Sequence, residues 1–409
     1  MGWRARVSDP MFFAVIALGI TQITAWGTSY YCLGVLAAPI GADTGWSLGF
    51  IYAGFTVALL VMGVVSAAVG RAIDQYGARV VMSLGTLAVS AGLLALSMVR
   101  SEAAYLGVWA FIGLGMRLCL YDAAFAALVQ VVPSRGRLAI SYLTLFGAFA
   151  SSVFWVLGHF LNEALGWRQT LVLFAAINLA VCLPLNWFGL ARREAPGRAG
   201  APQAAQAAPD APPLEGRMRT LAIALFALIM SLNGFVFGVI TVQLVPLLES
   251  AGLAAAAAVW IASMKGFAQF GGRLVEIFFG SHLRAITVAR IAIGALPASL
   301  VLLLSGGGFA AVVAFTLLMG ASQGVITIVR GAVPLALFGT DGYGAVLGVI
   351  ATPLLIFSAA SPTVFALIVD GWGWRAGQVV LLAAAAASWI AMELMSRWYE
   401  RNRGAAAPA

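Results

Sequence analysis

Four ionisable side chains lie inside long apolar stretches of this chain, where charge is costly and therefore informative. Arg117 and Asp122 share one stretch, while Lys265, the only lysine of the sequence, and Arg330 lie in two others. A charge at the centre of a membrane helix costs at least about 2.5–3.5 kcal/mol, and such groups usually face a bundle interior or a water-filled cavity. We expect these side chains to line a transport path. A buried structural ion pair, with Asp122 and Arg330 as the obvious partners, is the alternative.

The balance of these charges favours an anionic solute. Three cations accompany one carboxylate, so a cavity that they share is net positive and suits a small organic anion. Asp122 could instead carry a proton, because apolar surroundings favour the neutral form of a carboxyl group. Arginine keeps its proton, whereas a desolvated lysine can release one. Asp122 and Lys265 are therefore our candidates for coupling.

Polar residues at helical spacing extend the candidate path. Gln323, Thr327 and Arg330 fall at i, i+4 and i+7, which is one face of a helix. The first apolar stretch has a similar face, and the seventh has a weaker one. The candidate solute contacts are Arg330, Gln323, Thr327, Arg117, Tyr121, Gln22, Trp26, Tyr30 and Asn233. Hydrogen bonding between helices, which is common in membrane bundles, is the alternative role for such residues.

The spacing of Arg117 and Asp122 sets a further expectation. Five residues correspond to about 140° on a helical wheel, so one continuous helix cannot aim both side chains at the same spot. Tyr121 lies one turn from Arg117 and shares its side. We therefore expect Arg117 and Asp122 to act in different places.

The composition predicts an all-α membrane protein. Hydrophobic residues make up 62% of 409 positions, charged residues 9%, and the mean hydropathy is +0.99. About 20 apolar residues span a bilayer as a helix, and runs of this kind follow one another here. The twelve predicted spans are 11–40, 46–70, 79–99, 103–131, 138–163, 168–190, 219–248, 254–280, 286–304, 309–338, 342–369 and 375–397. The first run is too long for a signal-peptide core, so we expect it to remain as a span.

The net charge of +8 is a topology signal. Only Arg100, Arg168 and Arg375 fall on one side of the predicted spans. The other side, called the arginine-rich side below, receives Arg4, Arg6, Arg71, Arg79, Arg135, Arg137, Arg192, Arg193, Arg198, Arg217, Arg219, Arg273, Arg284, Arg290, Arg397, Arg401 and Arg403. Basic loops stay in the cytoplasm. This pattern predicts cytoplasmic termini in a plasma (bacterial inner) membrane, and it argues against a nucleic-acid partner.

The distribution of small residues divides the chain. Residues 191–218 are rich in Ala, Pro and Gly and predict a flexible cytoplasmic linker. The linker separates a six-helix bundle at 1–190 from a second at 219–397, and 398–409 form a tail. The halves repeat weakly at an offset of 207 residues, since Gly166-Trp167-Arg168 falls on Gly373-Trp374-Arg375 and Pro39 on Pro246. Two such pseudo-symmetric halves predict a substrate site at mid-membrane.

One short charged segment, residues 70–79, interrupts the apolar pattern between the second and third spans. Gly70 is followed by Asp74 four positions on, Gly77 three further and Arg79 two further. We expect Asp74 to sit against the positive N-terminus of a neighbouring helix, and the glycines to tighten the turn. Arg71 and Arg79 would bind lipid headgroups or acidic partners. Including an echo of the segment in the second half, the candidate gating residues are Gly70, Arg71, Asp74, Gly77, Arg79, Arg273 and Glu276; a purely topogenic loop is the alternative.

This segment resembles the loop signature of the major facilitator superfamily. The resemblance covers about the whole chain and implies a twelve-helix secondary transporter whose spans 1, 4, 7 and 10 line the cavity. Gln75 departs from the usual basic residue after the loop Asp, which puts some gate contacts in doubt. Finer resemblances are to bacterial permeases that include trivalent-arsenical exporters, in Ala25–Tyr31, Leu120–Phe125 and Arg330–Leu335. Span 1 with Gly45-Trp46-Ser47 resembles the monocarboxylate and oxalate/formate branch.

Other chemistry is sparse in this sequence. Gly266 follows the single lysine, so the Gly-Lys-Ser/Thr of a nucleotide-binding loop is missing. His159 and His282 fall at opposite membrane sides, and we predict no metal, no cofactor and no enzymatic activity. Cys32, Cys119 and Cys182 lie in separate spans as small packing residues; ligation of a trivalent metalloid by their thiols is the alternative.

We therefore predict a secondary active transporter that works by alternating access. Its leading solute is a small organic anion such as a carboxylate, with proton coupling as an option. Efflux of trivalent arsenicals or other toxicants is a second hypothesis, and a membrane receptor that transports nothing is a third. The expected partners are the bilayer, the solute and a proton, and a monomer suffices for the fold.

Overall fold

The computed structural model describes residues 9–194, 213–306 and 308–403, apart from the side chains of Ser281 and Arg403. Most of the predicted linker 191–218, part of the tail 398–409, and Arg4, Arg6 and Arg198 lie outside the described residues. Every regular element in the described part is helical. The α-helices are α1 Pro10–Ala25, α2 Leu33–Thr44, α3 Leu48–Tyr76, α4 Ala78–Ser97, α5 Glu102–Cys119, α6 Tyr121–Val131, α7 Gly136–Gly147, α8 Ala150–Ile177, α9 Leu183–Gly189, α10 Gly216–Ser250, α11 Ala255–Phe278, α12 Ala285–Leu304, α13 Gly308–Phe338 and α14 Tyr343–Arg403.

Short irregular helical turns complete the described elements. Two π-helical segments occupy Trp26–Tyr30 and Asn178–Cys182, and two 3₁₀ turns occupy Pro133–Arg135 and Gly280–His282. The π segments continue the helices on either side of them, so α1 joins α2 and α8 joins α9 as longer helical rods. In a bilayer such continuity is required, because lipid offers no partner for a free backbone group.

The helices account for twelve membrane spans in the described residues. Nine helical stretches are long and apolar enough to cross a membrane. Two of them, Pro133–Gly189 with 57 residues and Tyr343–Asn402 with 60, are long enough to cross twice. Counting each of these twice and adding α11, whose 24 residues also suffice for a crossing, gives the predicted number. The helical membrane fold expected from hydropathy is confirmed.

Two glycines turn the chain between the paired crossings. Gly166 has φ 78° and ψ 165°, and Gly373, 207 residues later, has φ 79° and ψ 168°. This region of φ and ψ is essentially restricted to glycine. The two positions are those that the sequence repeat aligns, so the repeat is also one of backbone conformation.

A second pair of equivalent glycines brings helices into close contact. A methyl group on Gly113 would lie 2.4 Å from the Ala58 carbonyl oxygen, and one on Gly320 would lie 2.7 Å from that of Lys265. Both members of each pair are again 207 residues apart. Small residues allow close packing of membrane helices where apolar burial offers no driving force. The two halves therefore share helix contacts at equivalent positions.

The chain divides into two compact units. The first comprises Met1–Pro202 together with Gly342–Gly348, the start of α14, and the second comprises Gln203–Asp341 and Val349–Ala409. In the first unit Trp109 and Tyr105 are fully buried, and the Tyr105 hydroxyl donates to the Ile51 carbonyl at 2.8 Å. The predicted domain boundaries 1–190, 191–218, 219–397 and 398–409 stay predictions.

We predict that the turning glycines carry a measurable share of stability. Gly166→Ala and Gly373→Ala should each lower the free energy of unfolding by about 1–3 kcal/mol, because alanine is strained at these angles. Gly107→Ala is the matched control, since a methyl group there meets nothing within 4 Å. Thermal unfolding in detergent measures the effect. Equal melting temperatures for all three variants would contradict the assignment.

Candidate functional site

The fourth span is broken in the middle of the membrane. Helix α5 ends at Cys119, Leu120 is extended with φ −81° and ψ −167°, and α6 begins at Tyr121. Leu120 is only 3% exposed, so the break is enclosed by protein. Irregular backbone at this depth is tolerated only in such surroundings or beside a water-filled cavity, and broken helices of transporters form solute and ion sites.

The break brings Arg117 and Asp122 together. Arg117 Nη1 lies 3.3 Å from Asp122 Oδ2, and the two side chains are only 2% and 5% exposed. Arg117 Nε also donates to Ser66 Oγ on α3 at 2.6 Å. Our expectation that the two charges point to different places was wrong, because it assumed a continuous helix across Leu120. The ion pair considered for Asp122 is thus formed within its own span.

An aromatic cluster surrounds the start of α6. The Trp26 ring lies 4.7 Å from Tyr30, 5.0 Å from Tyr121 and 6.0 Å from Tyr31, between centroids. Tyr30 also meets the ring of Phe55 edge-on at 4.8 Å. These tilted and edge-on arrangements are the favoured geometry for aromatic pairs. Trp26, Tyr30 and Tyr121 of the predicted solute contacts are thereby assembled in one place.

Gln22 positions this cluster. Trp26 Nε1 donates to Gln22 Oε1 at 3.1 Å, and Gln22 Nε2 donates to the Cys119 carbonyl at 2.9 Å. Gln22 is fully buried, so its amide satisfies two groups that have no access to water. One of them is the last carbonyl before the break. Gln22 therefore acts on the site through Trp26 and Cys119, whereas Trp26 and Tyr30 are partly exposed.

The π segments were not anticipated from the sequence. Asn178, the first residue of one segment, donates from Nδ2 to Thr28 Oγ1 in the other at 2.8 Å. Both side chains are buried. Single π turns inside α-helices often lie at functional sites. The buried Asn178 in an apolar run was the available signal for this contact.

In the second unit the predicted solute contacts lie on α13. Gln323, Thr327 and Arg330 are all partly exposed, as the polar stripe indicated. Gln323 Oε1 accepts from Gln269 Nε2 at 2.7 Å, and Thr327 Oγ1 donates to the Gln323 carbonyl at 3.0 Å. Gln269 was missed because it stands alone on α11, one turn beyond the partly exposed Lys265.

Asn233 is engaged in helix packing. Its Nδ2 donates to Ser388 Oγ at 2.5 Å and to the Ile229 carbonyl at 2.8 Å, and the residue is 1% exposed. This is the interhelical role that the sequence left open for the polar faces. We therefore assign Asn233 to the contact between α10 and α14 and leave it out of the solute contacts proposed below.

The charged segment at 70–79 is mostly helix. Helix α3 continues to Tyr76, and only Gly77, with φ 84°, departs from helical geometry before α4. The prediction that the span ends at residue 70 was wrong, because no residue before Gly77 breaks the hydrogen-bond ladder. Gly70 has a different function, since a methyl group there would lie 2.2 Å from the Gly344 carbonyl oxygen. Only Gly77 serves the turn itself.

Asp74 caps the start of α14 within the first unit. Its Oδ1 accepts from the Gly344 amide at 2.9 Å and its Oδ2 accepts from the Ala345 amide at 2.7 Å. The first amides of a helix have no intrahelical partner, and the helix dipole favours a negative charge there. The expected contact with a helix N-terminus is present, while its role in gating stays a prediction.

Gln130 holds the turn that follows Asp74. It accepts from the Ala78 amide at 2.9 Å and donates to the Ile73 carbonyl at 3.0 Å, so both sides of the turn are tied to α6. Arg79 stacks on Trp187, with Cζ 4.2 Å from the ring centroid, and Arg71 is exposed. Gln130 was missed because it lies near the end of an apolar run with no motif around it.

The echo in the second half has a different environment. Arg273 and Glu276 are 6% and 4% exposed and lie within α11. Arg273 Nε donates to the Gly324 carbonyl on α13 at 3.4 Å. Arg273 and Gly324 stand 207 residues beyond Ser66 and Arg117, so an arginine links the equivalent helices in each unit, but from opposite sides.

The three cysteines are buried and free. Cys119 ends α5 and Cys182 ends the second π segment, where its thiol lies 3.9 Å from the Thr21 carbonyl. No group of three or more His, Cys, Asp or Glu side chains that could hold a metal ion occurs in the described part of the chain. The structure therefore contributes no three-thiol site to the metalloid hypothesis.

Comparison with known families identifies the fold. The family model of the Major Facilitator Superfamily matches residues 18–317, which is most of the chain. The chain belongs to this superfamily. This major facilitator protein is thus a multi-pass membrane transporter that acts on a small solute, and the resemblance inferred from residues 70–79 is confirmed.

Solved structures of transporters share the fold of this major facilitator protein. The human organic anion transporter MFSD10 (TETRAN) superposes with a TM-score of 0.72 at 16% identity, covering 94% of this chain and 100% of that one. FucP in the outward conformation gives 0.70 at 15%, and a variant of the E. coli fucose:proton symporter FucP gives 0.65 at 15%. Each covers 95% of this chain and 99% of its own. The search of curated proteins finds no match.

We predict that Arg117 and Asp122 depend on each other for stability. Arg117→Met or Asp122→Leu alone should lower the free energy of unfolding by about 3–5 kcal/mol, since each leaves an uncompensated buried charge. The double variant should cost less than either single change. Thermal unfolding of the four proteins forms a double-mutant cycle. Additive losses would contradict a coupled pair.

Proposed function

We propose that this transporter moves a small organic anion together with a proton by alternating access. The observation that carries the proposal is the buried pair of Arg117 and Asp122 at the break of span 4. An arginine and a carboxylate in contact leave little net charge, so the pair as it stands has no excess charge with which to attract an anion. The proposal therefore requires a step that removes the charge of Asp122.

Protonation supplies that step. A proton on Asp122 neutralises the carboxylate and leaves Arg117, which stays charged at any physiological pH, without an anionic partner. An uncompensated buried charge costs several kcal/mol, so a solute carboxylate entering the site would be strongly favoured. Proton and anion then bind together and leave together. Their combined charge is zero, which also reduces the cost of crossing the apolar bundle.

The surrounding residues suit an anion with an apolar body. Trp26, Tyr30 and Tyr121 would contact the carbon skeleton, while Gln22 holds Trp26 in place. In the second unit we assign Arg330, Gln323 and Thr327 to solute contact and Lys265 to coupling, since both cations are partly exposed on α13 and α11.

The structural neighbours are compatible with this proposal. One is an organic anion transporter and another is a fucose:proton symporter. At 16% and 15% identity these relations concern the fold alone, so the solute class rests on Arg117, Asp122 and the aromatic cluster. Efflux of a trivalent arsenical remains the second hypothesis, supported by the segments around Trp26, Tyr121 and Arg330. A receptor that transports nothing is the third.

Uptake by proteoliposomes tests the proposal directly. We expect accumulation of at least one labelled mono- or dicarboxylate from a panel, driven by an inward proton gradient and abolished when the gradient is collapsed. Arsenite flux measured in the same vesicles tests the second hypothesis. Flux of arsenite with none of any carboxylate would overturn the proposal in favour of efflux, and flux of neither would favour a receptor.

The Asp122→Asn variant separates solute binding from proton coupling in that assay. Because asparagine resembles the protonated carboxyl group, solute exchange between the two sides should persist. Accumulation driven by the proton gradient should fall by about tenfold or more, and the pH dependence of exchange should disappear. Asp370→Asn, an exposed aspartate outside the site, is the matched control and should behave like the parent protein. An unchanged pH profile in Asp122→Asn would refute the coupling role.

We further propose that the segment at 70–79 gates access from the arginine-rich side. The contact of Asp74 with the Gly344 and Ala345 amides would hold the start of α14 in the state described here and release it in the other. Gly70 permits the close approach of the two helices. Arg71 and Arg79 would assist from the same segment, and Arg273 with Glu276 would act at the equivalent place in the second unit.

The arginine-rich side also supports an orientation. We propose a plasma membrane, the inner membrane in a bacterium, with both termini and the segment 191–218 in the cytoplasm. The 1–190 and 219–397 bundles would then be joined by a cytoplasmic linker. A single copy of the chain would suffice for transport.

The gating proposal predicts a specific loss of turnover. Asp74→Asn removes the charge that favours the α14 N-terminus, an interaction of about 0.3–1 kcal/mol or more, and should slow transport with little change in the apparent affinity for solute. Asp74→Glu should restore part of the rate because it restores the charge. The initial rate of uptake as a function of solute concentration gives both quantities. If Asp74→Asn changed affinity alone, the segment would belong to solute binding.

A further inference from the structure

An apolar groove runs along the outside of the first unit. It has a volume of about 410 Å³, which lies within the range of small-molecule sites. Its walls come from α4 and α9, and the main contributors are Val80, Leu84, Leu87, Leu183, Trp187 and Phe188. Leu84 is 55% exposed and Phe188 66%. Exposed apolar side chains on membrane-spanning helices face lipid, so this groove opens to the bilayer.

A guanidinium group stands at the arginine-rich end of the groove. Arg79 precedes the groove residue Val80, and its Cζ lies 4.2 Å from the ring centroid of the groove residue Trp187. Stacking uses the face of the guanidinium and leaves its in-plane N–H groups to donate hydrogen bonds. Its Nε is buried and has no hydrogen-bond partner in the described part of the chain.

The acidic groups of this end are engaged elsewhere. Asp9 binds Arg135 through two hydrogen bonds of 2.8 and 2.5 Å, and Glu194 accepts from Ser134 Oγ at 2.6 Å. Asp74 accepts from the two amides at the start of α14. The charge of Arg79 is therefore not offset by these carboxylates, and an anion from outside the protein is the complement that the site lacks.

We propose that this groove binds one anionic phospholipid. Its phosphate would accept hydrogen bonds from Arg79, and one of its acyl chains would lie between α4 and α9. Each buried methylene group contributes about 0.8 kcal/mol relative to water. Bilayer lipids offer the same apolar environment everywhere, so selectivity comes from the groove's shape and from the charge of Arg79 at its mouth. The site is independent of the proposed solute path.

Native mass spectrometry of the detergent-purified protein tests the site. The probe is phosphatidylglycerol, titrated against phosphatidylcholine of the same acyl chains, with inorganic phosphate in a third arm. We expect one phosphatidylglycerol to be retained at concentrations where phosphatidylcholine is lost. Arg79→Gln should weaken retention by about tenfold, a change typical of losing one charge-assisted hydrogen bond.

Two further variants keep the result interpretable. Leu84→Trp fills the groove while leaving Arg79 in place, and it should weaken retention of phosphatidylglycerol as strongly. Arg71→Gln removes an exposed arginine from the same segment and should have no effect. Equal retention of both lipids, displacement of the lipid by inorganic phosphate, or full retention by both Arg79→Gln and Leu84→Trp would overturn the proposal. So would a second copy of the chain bound in place of lipid.

Discussion

The need to satisfy every polar group inside an apolar bundle underlies the whole site. Leu120 interrupts the backbone ladder of span 4, which leaves the Cys119 carbonyl to be bonded by Gln22. Gln22 in turn fixes the Trp26 ring by its other end. The same interruption rotates Asp122 towards Arg117, whose remaining contact is Ser66. One break in a helix therefore creates both the charged pair and the aromatic cluster beside it.

The same requirement explains the less regular parts of the first unit. Asn178 and Thr28 join two π segments that would otherwise leave buried polar side chains without partners. Asp74 and Gln130 perform the corresponding task at the arginine-rich side, where they bind backbone groups that the ends of helices expose. These contacts are local, specific and few. Small changes at any of them would be felt in the packing of whole helices.

Hydropathy and arginine placement predict the fold of this chain well, because lipid imposes the same length and polarity on every span. Gly166 and Gly373 could be matched from sequence because only glycine tolerates their backbone angles. The break at Leu120 could not, since neither glycine nor proline stands there and the flanking residues suit a helix. The wheel argument for Arg117 and Asp122 failed for that reason. Gln269, Gln130 and Asn178 were missed because single polar residues have no pattern.

The repeat shows how two equivalent frameworks come to carry different chemistry. Lys265 in the second unit stands where the first unit has Ala58, and both pack their carbonyls against an equivalent glycine. Arg273 and Gly324 likewise exchange the roles of Ser66 and Arg117. Because the backbone contacts are shared, a charge can be moved from one helix to its neighbour without disturbing the packing. The first unit thus keeps its cation paired with Asp122 on one span, while the second leaves Lys265 and Arg330 partly exposed on two. A division of labour follows from this difference: the paired charge suits proton coupling, and the exposed cations suit contact with an anion.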